Sequence, residues 1–544
     1  MKKSGIVFLL FILASGPLLA QSTAKKPKLV VGIIVDQMRQ EYLYRFADRY
    51  SDGGFKRMMK DGFMMKNGHY NYIPTYTGPG HASVYTGTTP ATHGIISNDW
   101  YVKSLDKMIY CAEDTLVTNI GGSEANGFIS PRNLLTTTIT DELRIATQKR
   151  SKVVGVAIKD RGASLPAGHL GDAYWYDSNT GEFMTSTYYY DKLPKWVDKF
   201  NDKKSADTYL SQTWNTLYPI DTYKASMVDD NPFEGTFSGK DTPTFPYDLK
   251  ELRKSNGEFG IIASTPFGNS MTLDFALAAL EGEKMGMGEE TDFLALSFSS
   301  TDYVGHRFGP QSKEIEDTYL RLDQDIERLL NYLDETYGKD QYVVFLSADH
   351  AVAEIATHMI SENVPGGNLR TSLVGTALLN YISSKYGAGK WIKNSSNGQL
   401  FLNHELIQEK NINQEDFENE IAQFLLKFDG IKEVYTGTAL RTREFTEGRA
   451  MRLQMGYNHK ASGDILMILE PGWLTGGATG TSHGTGYSYD TNVPILFYGW
   501  NVPAGESSRY ATITDIAPTL SMMLDIKLPN GTTGQPILEI TDKK

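Results

Sequence analysis

The sequence predicts an α/β fold: a mostly parallel central sheet sandwiched by helices, with irregular insertions and a small α+β subdomain. Three observations carry this. Apolar runs recur at 28–36, 152–159, 292–299, 341–348, 464–470 and 493–499. They are rich in Val, Ile, Leu and Phe without strict alternation, as strands buried on both faces require. Helical periodicity lies between them, as in alternating α/β units. Chemistry-bearing residues then collect where the runs end, at Asp36, Lys159, Asp302 and Asp349, the edge at which an open α/β sheet binds its ligand.

Taken in chain order, residues 1–20 have a basic start (Lys2, Lys3), an apolar centre and a small-residue exit. This pattern reads as a secretory signal, too short for a good membrane span, cleaved after Ala20 or as late as Ala24. The mature chain, 25–544, reads as one large catalytic domain. Leu29–Val35 runs into Asp36. Phe63–Ile73 reads as a strand and leads through Pro74-Thr75-Tyr76-Thr77-Gly78-Pro79-Gly80-His81 into a helical run. Residues 134–149 read as a helix, and Lys152–Ile158 as a strand ending in Lys159-Asp160-Arg161.

Residues 170–265, rich in Tyr, Trp, Pro and Asp, read as an irregular insertion over the sheet edge. Asn269 is a candidate cap for a helix over 270–282. Asp292–Phe298 precedes a Gly-containing loop in which Asp302 and His306, four residues apart, can face one metal ion. The best amphipathic helix places Ile315, Tyr319, Leu322, Ile326, Leu329 and Leu333 on one face and closes at Gly338. Asp349-His350 ends the next strand. Residues 360–460 hold a helix-like Phe417–Phe428 between strand-like fragments, which suggests the α+β subdomain, and 514–525 closes the series as a helix.

Composition excludes several functions. The formal net charge of −12 becomes two units more negative once residues 1–20 are removed, which favours neither nucleic acid nor an anionic membrane as partner. The lone Cys111 rules out an internal disulfide and any Cys-rich zinc site, leaving Asp, Glu and His as metal ligands. Cys111 itself reads as a small buried hydrophobe. Three carboxylates at strand ends, two with a His nearby, suggest a polynuclear metal site.

Thr77 begins a helix, where the dipole and free amides favour an anion. On its own this Thr reads as an N-cap, and the carboxylate and His clusters change that weighting. A hydroxyl is a poor nucleophile at neutral pH, and metal coordination is one way to activate it.

Asp36, Thr77, Asp302 with His306, Asp349 with His350, and His483 in Thr481-Ser482-His483-Gly484 occur in the order of the alkaline phosphatase superfamily. The chain resembles its single-domain, PafA-type bacterial phosphomonoesterases over essentially the whole mature length. More distantly, it is similar to the nucleotide pyrophosphatase/phosphodiesterases. The resemblance implies an alkaline-phosphatase-like fold and two zinc ions. One would be held by Asp302, His306 and His483, the other by Asp36, Asp349, His350 and the Thr77 oxygen.

It further implies Thr77 as nucleophile, a phosphothreonine intermediate, and contacts from Asn98, Lys159 and Arg161 to the phosphoryl oxygens. A monoester has one more free anionic oxygen than a diester, so the Lys159/Arg161 pair favours small-molecule phosphate monoesters. A phosphodiesterase or nucleotide pyrophosphatase on the same fold is the alternative. The implied setting is periplasmic or secreted, as a monomer, with no membrane attachment after signal removal.

Relatives commonly follow the Asp-His pair with Gly; here Ala351 stands there and requires an ordinary backbone angle. His81, one turn beyond Thr77, is open to either a supporting or a packing role. His69, His93, His169, His358, His404 and His459 lack a partner pattern.

Overall fold

The structure, a computed structural model, describes residues 26–542, so the signal segment lies outside the described residues. The elements that position the site run as follows. Strand β1 is Leu29–Val35 and β2 is Phe63–His69; helix α1 is Thr77–Thr86. Strand β3 is Val153–Ala157, α2 is Asp160–Ala167, β4 is Asp172–Asp177 and β5 is Glu182–Ser186. Helix α3 is Phe267–Gly282, β6 is Asp292–Phe298, α4 is Ser300–Phe308, α5 is Lys313–Tyr337 and β7 is Tyr342–Ser347.

The C-terminal part holds α6 (Thr371–Tyr386), β8 (Ile392–Ser396), β9 (Gln399–Leu402), α7 (Gln414–Leu425), β10 (Ile431–Thr436) and β11 (Ile465–Leu469). It closes with β12 (Ile495–Gly499), β13 (Gly505–Thr512) and α8 (Ile516–Leu524).

The central sheet has ten strands in the order β13-β2-β12-β7-β1-β6-β3-β4-β5, finished by the short Asn119–Ile120. Strands β7, β1, β6, β3 and β4 are mutually parallel. β12 runs antiparallel to both β7 and β2, and β5 runs antiparallel to β4. Every residue of β1 and β6 is buried, the consequence of helices on both faces. Register fixes function here. Val35 pairs with Phe298, and Ile34 with Ser347, while Ser297 pairs with Ala157. The residues following all four strands therefore emerge side by side at one edge.

Helix α5 matches its apolar stripe, with Ser312 accepting from the Ile315 amide as N-cap and Gly338 closing the C-terminus. The expected fold class holds, and several local expectations need correction. The run at 464–470 is a strand, but β11 belongs to a separate four-stranded sheet, β8-β9-β11-β10. That sheet, with α6 and α7, forms the small α+β subdomain around its own apolar cluster.

Residues 172–186, read as the start of an insertion, instead supply β4 and β5 of the main sheet. The helix expected at 134–149 spans only Ile139–Ala146, because Thr138 caps it in a reciprocal box with Asp141. Asn269 is not a cap: it lies inside α3, and its Oδ1 accepts from the Ser300 amide at 3.0 Å, bracing the start of α4.

Two carboxylates, Glu234 and Glu314 in the first turn of α5, are buried, each with one oxygen that has no partner among the described residues. Tyr247 donates to Glu314 Oε1 at 2.6 Å, and Asn231 donates to Glu234 at 3.1 Å. Burial holds both carboxyls well above the usual range, Glu314 to about 8. The unfolded chain releases the Glu314 proton near 4.5, whereas the fold keeps it to about pH 8, so this residue makes stability fall as pH rises across that window. Glu314→Gln is expected to stabilise the protein by about 1 kcal/mol or more at pH 9 and by almost nothing at pH 4. Urea unfolding at the two pH values checks this; a gain of equal size at both would contradict it.

Candidate active site

Thr77 is the first residue of α1. Its N-cap is Tyr76, whose side chain makes no capping bond, so the N-cap reading of Thr77 is corrected. The cap comes from elsewhere in the chain. Asn98 Oδ1 accepts from the Gly78 amide at 2.8 Å, and among the described residues its Nδ2 donor has no protein partner. The Thr77 hydroxyl thus sits at the positive end of a buried ten-residue helix. Beneath it, His81 Nδ1 donates to the Thr77 carbonyl at 2.9 Å, and His81 Nε2 accepts from Ser297 at 2.8 Å. Burial lowers the pKa of His81 to about 4, so it is neutral. It supports the turn that bears Thr77.

Asp302 and His306 lie on a helix rather than in a loop, a further correction. They are four residues apart on α4, so both project from one face. His306 Nε2 is 3.1 Å and His483 Nε2 is 3.7 Å from Asp302 Oδ1. Asp36 and Asp349 follow β1 and β7 and are fully buried, as is His350. His350 Nε2 lies 3.5 Å from Asp36 Oδ1 and 3.6 Å from Asp349 Oδ2. Among the described residues two groups converge closely enough for a metal: Asp302, His350 and His483, and Asp36, Asp349 and His350.

Three features show that these residues fit metal ions. First, Asp36 Oδ1, Asp349 Oδ2 and His350 Nε2 are buried without a hydrogen-bond partner, a costly condition that a cation relieves. Second, the Nδ1 atoms of His306, His350 and His483 donate to the carbonyls of Thr481, Ala351 and Thr75, at 2.8, 2.9 and 2.7 Å. A carbonyl only accepts, so each ring carries a proton on Nδ1 and directs Nε2 at the cluster, the atom that ligates a metal when it is unprotonated. Third, three buried carboxylates face a single ammonium, Lys159, which leaves negative charge uncompensated.

Lys159 Nζ lies 2.7 Å from Asp36 Oδ2, 2.6 Å from Asp302 Oδ2 and 3.5 Å from Thr77 Oγ. Burial opposes its charge, but Asp302 and Asp36 outweigh burial and hold its pKa above the ordinary lysine value. Burial, followed by the charge of Asp36, raises the pKa of Asp349 well above the carboxylate range. Asp302 is also buried, yet His306 and Lys159 draw its pKa well below that range. Arg161 stands apart from this group: its Nη1 donates to the Tyr110 hydroxyl at 3.0 Å. Tyr110 in turn donates to Asp160.

Eight of the ten sequence-derived residues therefore cluster directly: Asp36, Thr77, Lys159, Asp302, His306, Asp349, His350 and His483. Asn98 joins through α1, whereas Arg161 stands apart, held by Tyr110. Ala351 takes an ordinary backbone angle, and its carbonyl is the acceptor that orients His350.

Gln37 was missed by sequence reasoning. Its amide donates to Asp349 Oδ1 at 3.1 Å and its Nε2 to Asp302 Oδ1 at 2.6 Å, tying the two metal-binding groups together. It does so from a left-handed backbone, φ 67°, rare for a residue with a Cβ. Gly305 is the matching requirement, since a Cβ there would sit 1.9 Å from Gln37 Oε1. Adjacency to Asp36 was the only signal in the sequence; the backbone angle gave none.

Comparison with known proteins agrees with this geometry. The model of the type I phosphodiesterase / nucleotide pyrophosphatase family matches residues 30–490. A protein of Myroides odoratus named calcium-transporting ATPase is 46% identical, covering 99% of this chain and all of its own. Alkaline phosphatase PhoV of Synechococcus elongatus is 44% identical over 96% of this chain and 94% of its own. Alkaline phosphatase PafA of Elizabethkingia meningoseptica is 43% identical over 97% of each chain. The crystal structure of alkaline phosphatase PafA superposes with a TM-score of 0.92, covering 95% of this chain and 99% of that one. By this full-length agreement in sequence and fold, the chain belongs to the type I phosphodiesterase / nucleotide pyrophosphatase family, among its PafA- and PhoV-like alkaline phosphatases.

Proposed function

We propose that the protein is a zinc-dependent phosphomonoesterase working through a phosphothreonine at Thr77. The observation that carries this is the placement of the Thr77 hydroxyl at a helix N-terminus, 3.5 Å from an ammonium that spans both carboxylate–histidine groups. Asp302, His306 and His483 would hold one ion; Asp36, Asp349, His350 and the Thr77 oxygen would hold the other. Nitrogen and oxygen donors without thiolate suit zinc. When bound, such a pair acidifies a hydroxyl or water and neutralises phosphoryl oxygens.

The protein's own groups do the rest. Thr77 Oγ attacks phosphorus, forming a new P–O bond as the ester P–O bond breaks and the alcohol departs. Water then cleaves the threonine ester, releasing phosphate and restoring the hydroxyl. Lys159, Arg161 and the free Nδ2 of Asn98 offer donors to the equatorial oxygens, whose charge must be met in the transition state. Three such donors suit the dianionic group of a monoester better than a diester.

The names of two relatives, alkaline phosphatases PhoV and PafA, support this reading. The family model's description favours phosphodiester cleavage as the second reading. We also infer that residues 1–20 export the chain to the periplasm or medium, where it acts as a monomer on small phosphate monoesters, without nucleic acid. Among the described residues, no helix is long and apolar enough to cross a membrane.

Turnover of an aryl phosphate and of the corresponding bis-aryl phosphate by purified, zinc-loaded protein is the test. The monoester is expected to be preferred by at least about 10²-fold. A chelator should abolish activity, and zinc should restore it. Diester preference would install the second reading, and no phosphate release from the monoester would refute the first.

A further inference from the structure

A cavity of about 460 Å3 opens beside the cluster and plays no part in the chemistry described above. It lies between the small subdomain and the loop that carries His483. Tyr76, His483 and Gly484 line one end, and α6 supplies another wall through Val374, Gly375 and Leu378. Leu400, Leu425, Leu466 and Ile468, all buried, form its interior. Not one Asp, Glu, Lys or Arg lines it. Its size falls in the range of roughly 300–1,000 Å3 typical of small-molecule sites.

The cavity adjoins the candidate metal-binding groups through His483 and through Tyr76, the residue before Thr77. His483 presents Nε2 to Asp302 at 3.7 Å, and the same residue lines the cavity. Its Nδ1 donates to the Thr75 carbonyl, two residues before Thr77, at 2.7 Å.

We propose that this cavity receives the alcohol portion of the phosphate ester, and that it selects monoesters of neutral, apolar alcohols over those of charged ones. The inference rests on the phosphomonoesterase reading. It adds a leaving-group preference that the phosphoryl-binding residues cannot supply, since Thr77, Lys159 and Arg161 act on the phosphoryl group common to all monoesters. An apolar chain withdrawn from water into such walls strengthens binding by up to about fourfold for each methylene fully buried.

Gly375 provides a test that does not endanger the fold. It lies within α6 with nothing within 4 Å of where a Cβ would stand, and it lines the cavity. Gly375→Leu therefore starts its side chain in open space beside the cavity, adds apolar volume there and improves helix propensity. With zinc-loaded wild type, kcat/KM is expected to rise at least tenfold from ethyl to octyl phosphate. Glycerol phosphate should stay near the ethyl value. Gly375→Leu is expected to cut the octyl-to-ethyl ratio at least fivefold.

Binding is read separately by calorimetry with octylphosphonate and ethylphosphonate. The longer probe should bind at least tenfold tighter to wild type, and this advantage should shrink in the variant. A flat chain-length series, or an identical series in Gly375→Leu, overturns the proposal while leaving the phosphatase assignment standing. Failure to hydrolyse any monoester instead overturns the assignment on which it rests.

Discussion

Thr77→Ala is expected to lower kcat for monoester hydrolysis by at least about 10³-fold, the scale on which losing a nucleophile is felt. The fold should survive, because the Thr77 hydroxyl is not what starts α1: Asn98 caps the helix through the Gly78 amide. His81 also bonds the Thr77 backbone carbonyl rather than its side chain. Thr77→Ser, which keeps an oxygen at the same place, should retain substantial activity and accumulate a phosphoserine on acid quench. Equal turnover by Thr77→Ala and wild type would eliminate Thr77 as nucleophile. Absence of any acid-stable phosphoenzyme in both wild type and the Ser variant would favour direct attack by water.

The second large effect concerns Lys159 and Arg161, which the structure distinguishes clearly. Arg161 is held by the Tyr110 hydroxyl and stands outside the carboxylate cluster. Arg161→Ala should therefore cost about 10²-fold in kcat/KM for an aryl monoester, change diester turnover little and leave metal content intact. Lys159 lies between Asp36 and Asp302. Removing its charge takes away a phosphoryl partner and also leaves two buried carboxylates facing each other, a penalised arrangement.

Lys159→Ala is thus expected to lose comparable monoester activity and to change zinc affinity as well. The double variant should lose about 10³-fold or more on monoesters and most of its preference over diesters. Parallel assays on both ester classes, with zinc measured in each variant, check this. If the double variant keeps its monoester preference, selectivity resides elsewhere in the site.

The Glu234/Glu314 pair contributes in a different way. The segment carrying Glu234 is tied to both histidine-bearing regions: Gly235 donates its amide to the Arg307 carbonyl, and Gly480 donates to Phe233. These buried acids therefore bear on the stability of the platform that holds His306 and His483.

That three aspartates gather at one edge was legible in the sequence, because parallel strands in register deliver their C-terminal residues there, whereas Thr77 and His483 entered the expected set only through the family resemblance. Once 28–36, 292–299 and 341–348 read as buried strands, Asp36, Asp302 and Asp349 had to be neighbours. The nature of the connecting segments was less legible. Ser300–Phe308 is a helix despite its Gly, since Gly305 is placed for close approach by Gln37 rather than for a turn. Residues 172–186 joined the main sheet although aromatic residues and aspartates obscured their strand pattern. Tyr174, Trp175, Tyr176 and Phe183 are themselves strand formers, so local propensity agreed with the pairing there.

By itself, the sequence determined the α/β class, the edge at which chemistry is gathered, and the identities of the residues brought there, because strand burial and residue type are local properties of the chain. Only the tertiary structure decided how those residues are arranged. It alone sets the Nδ1 bonds that orient three histidines, the left-handed Gln37 that couples the two carboxylate groups, and the separate anchoring of Lys159 and Arg161. Each of these depends on atoms contributed by segments far apart in the chain, and their distances are fixed only when the sheet, α1, α4 and the His483 loop pack together.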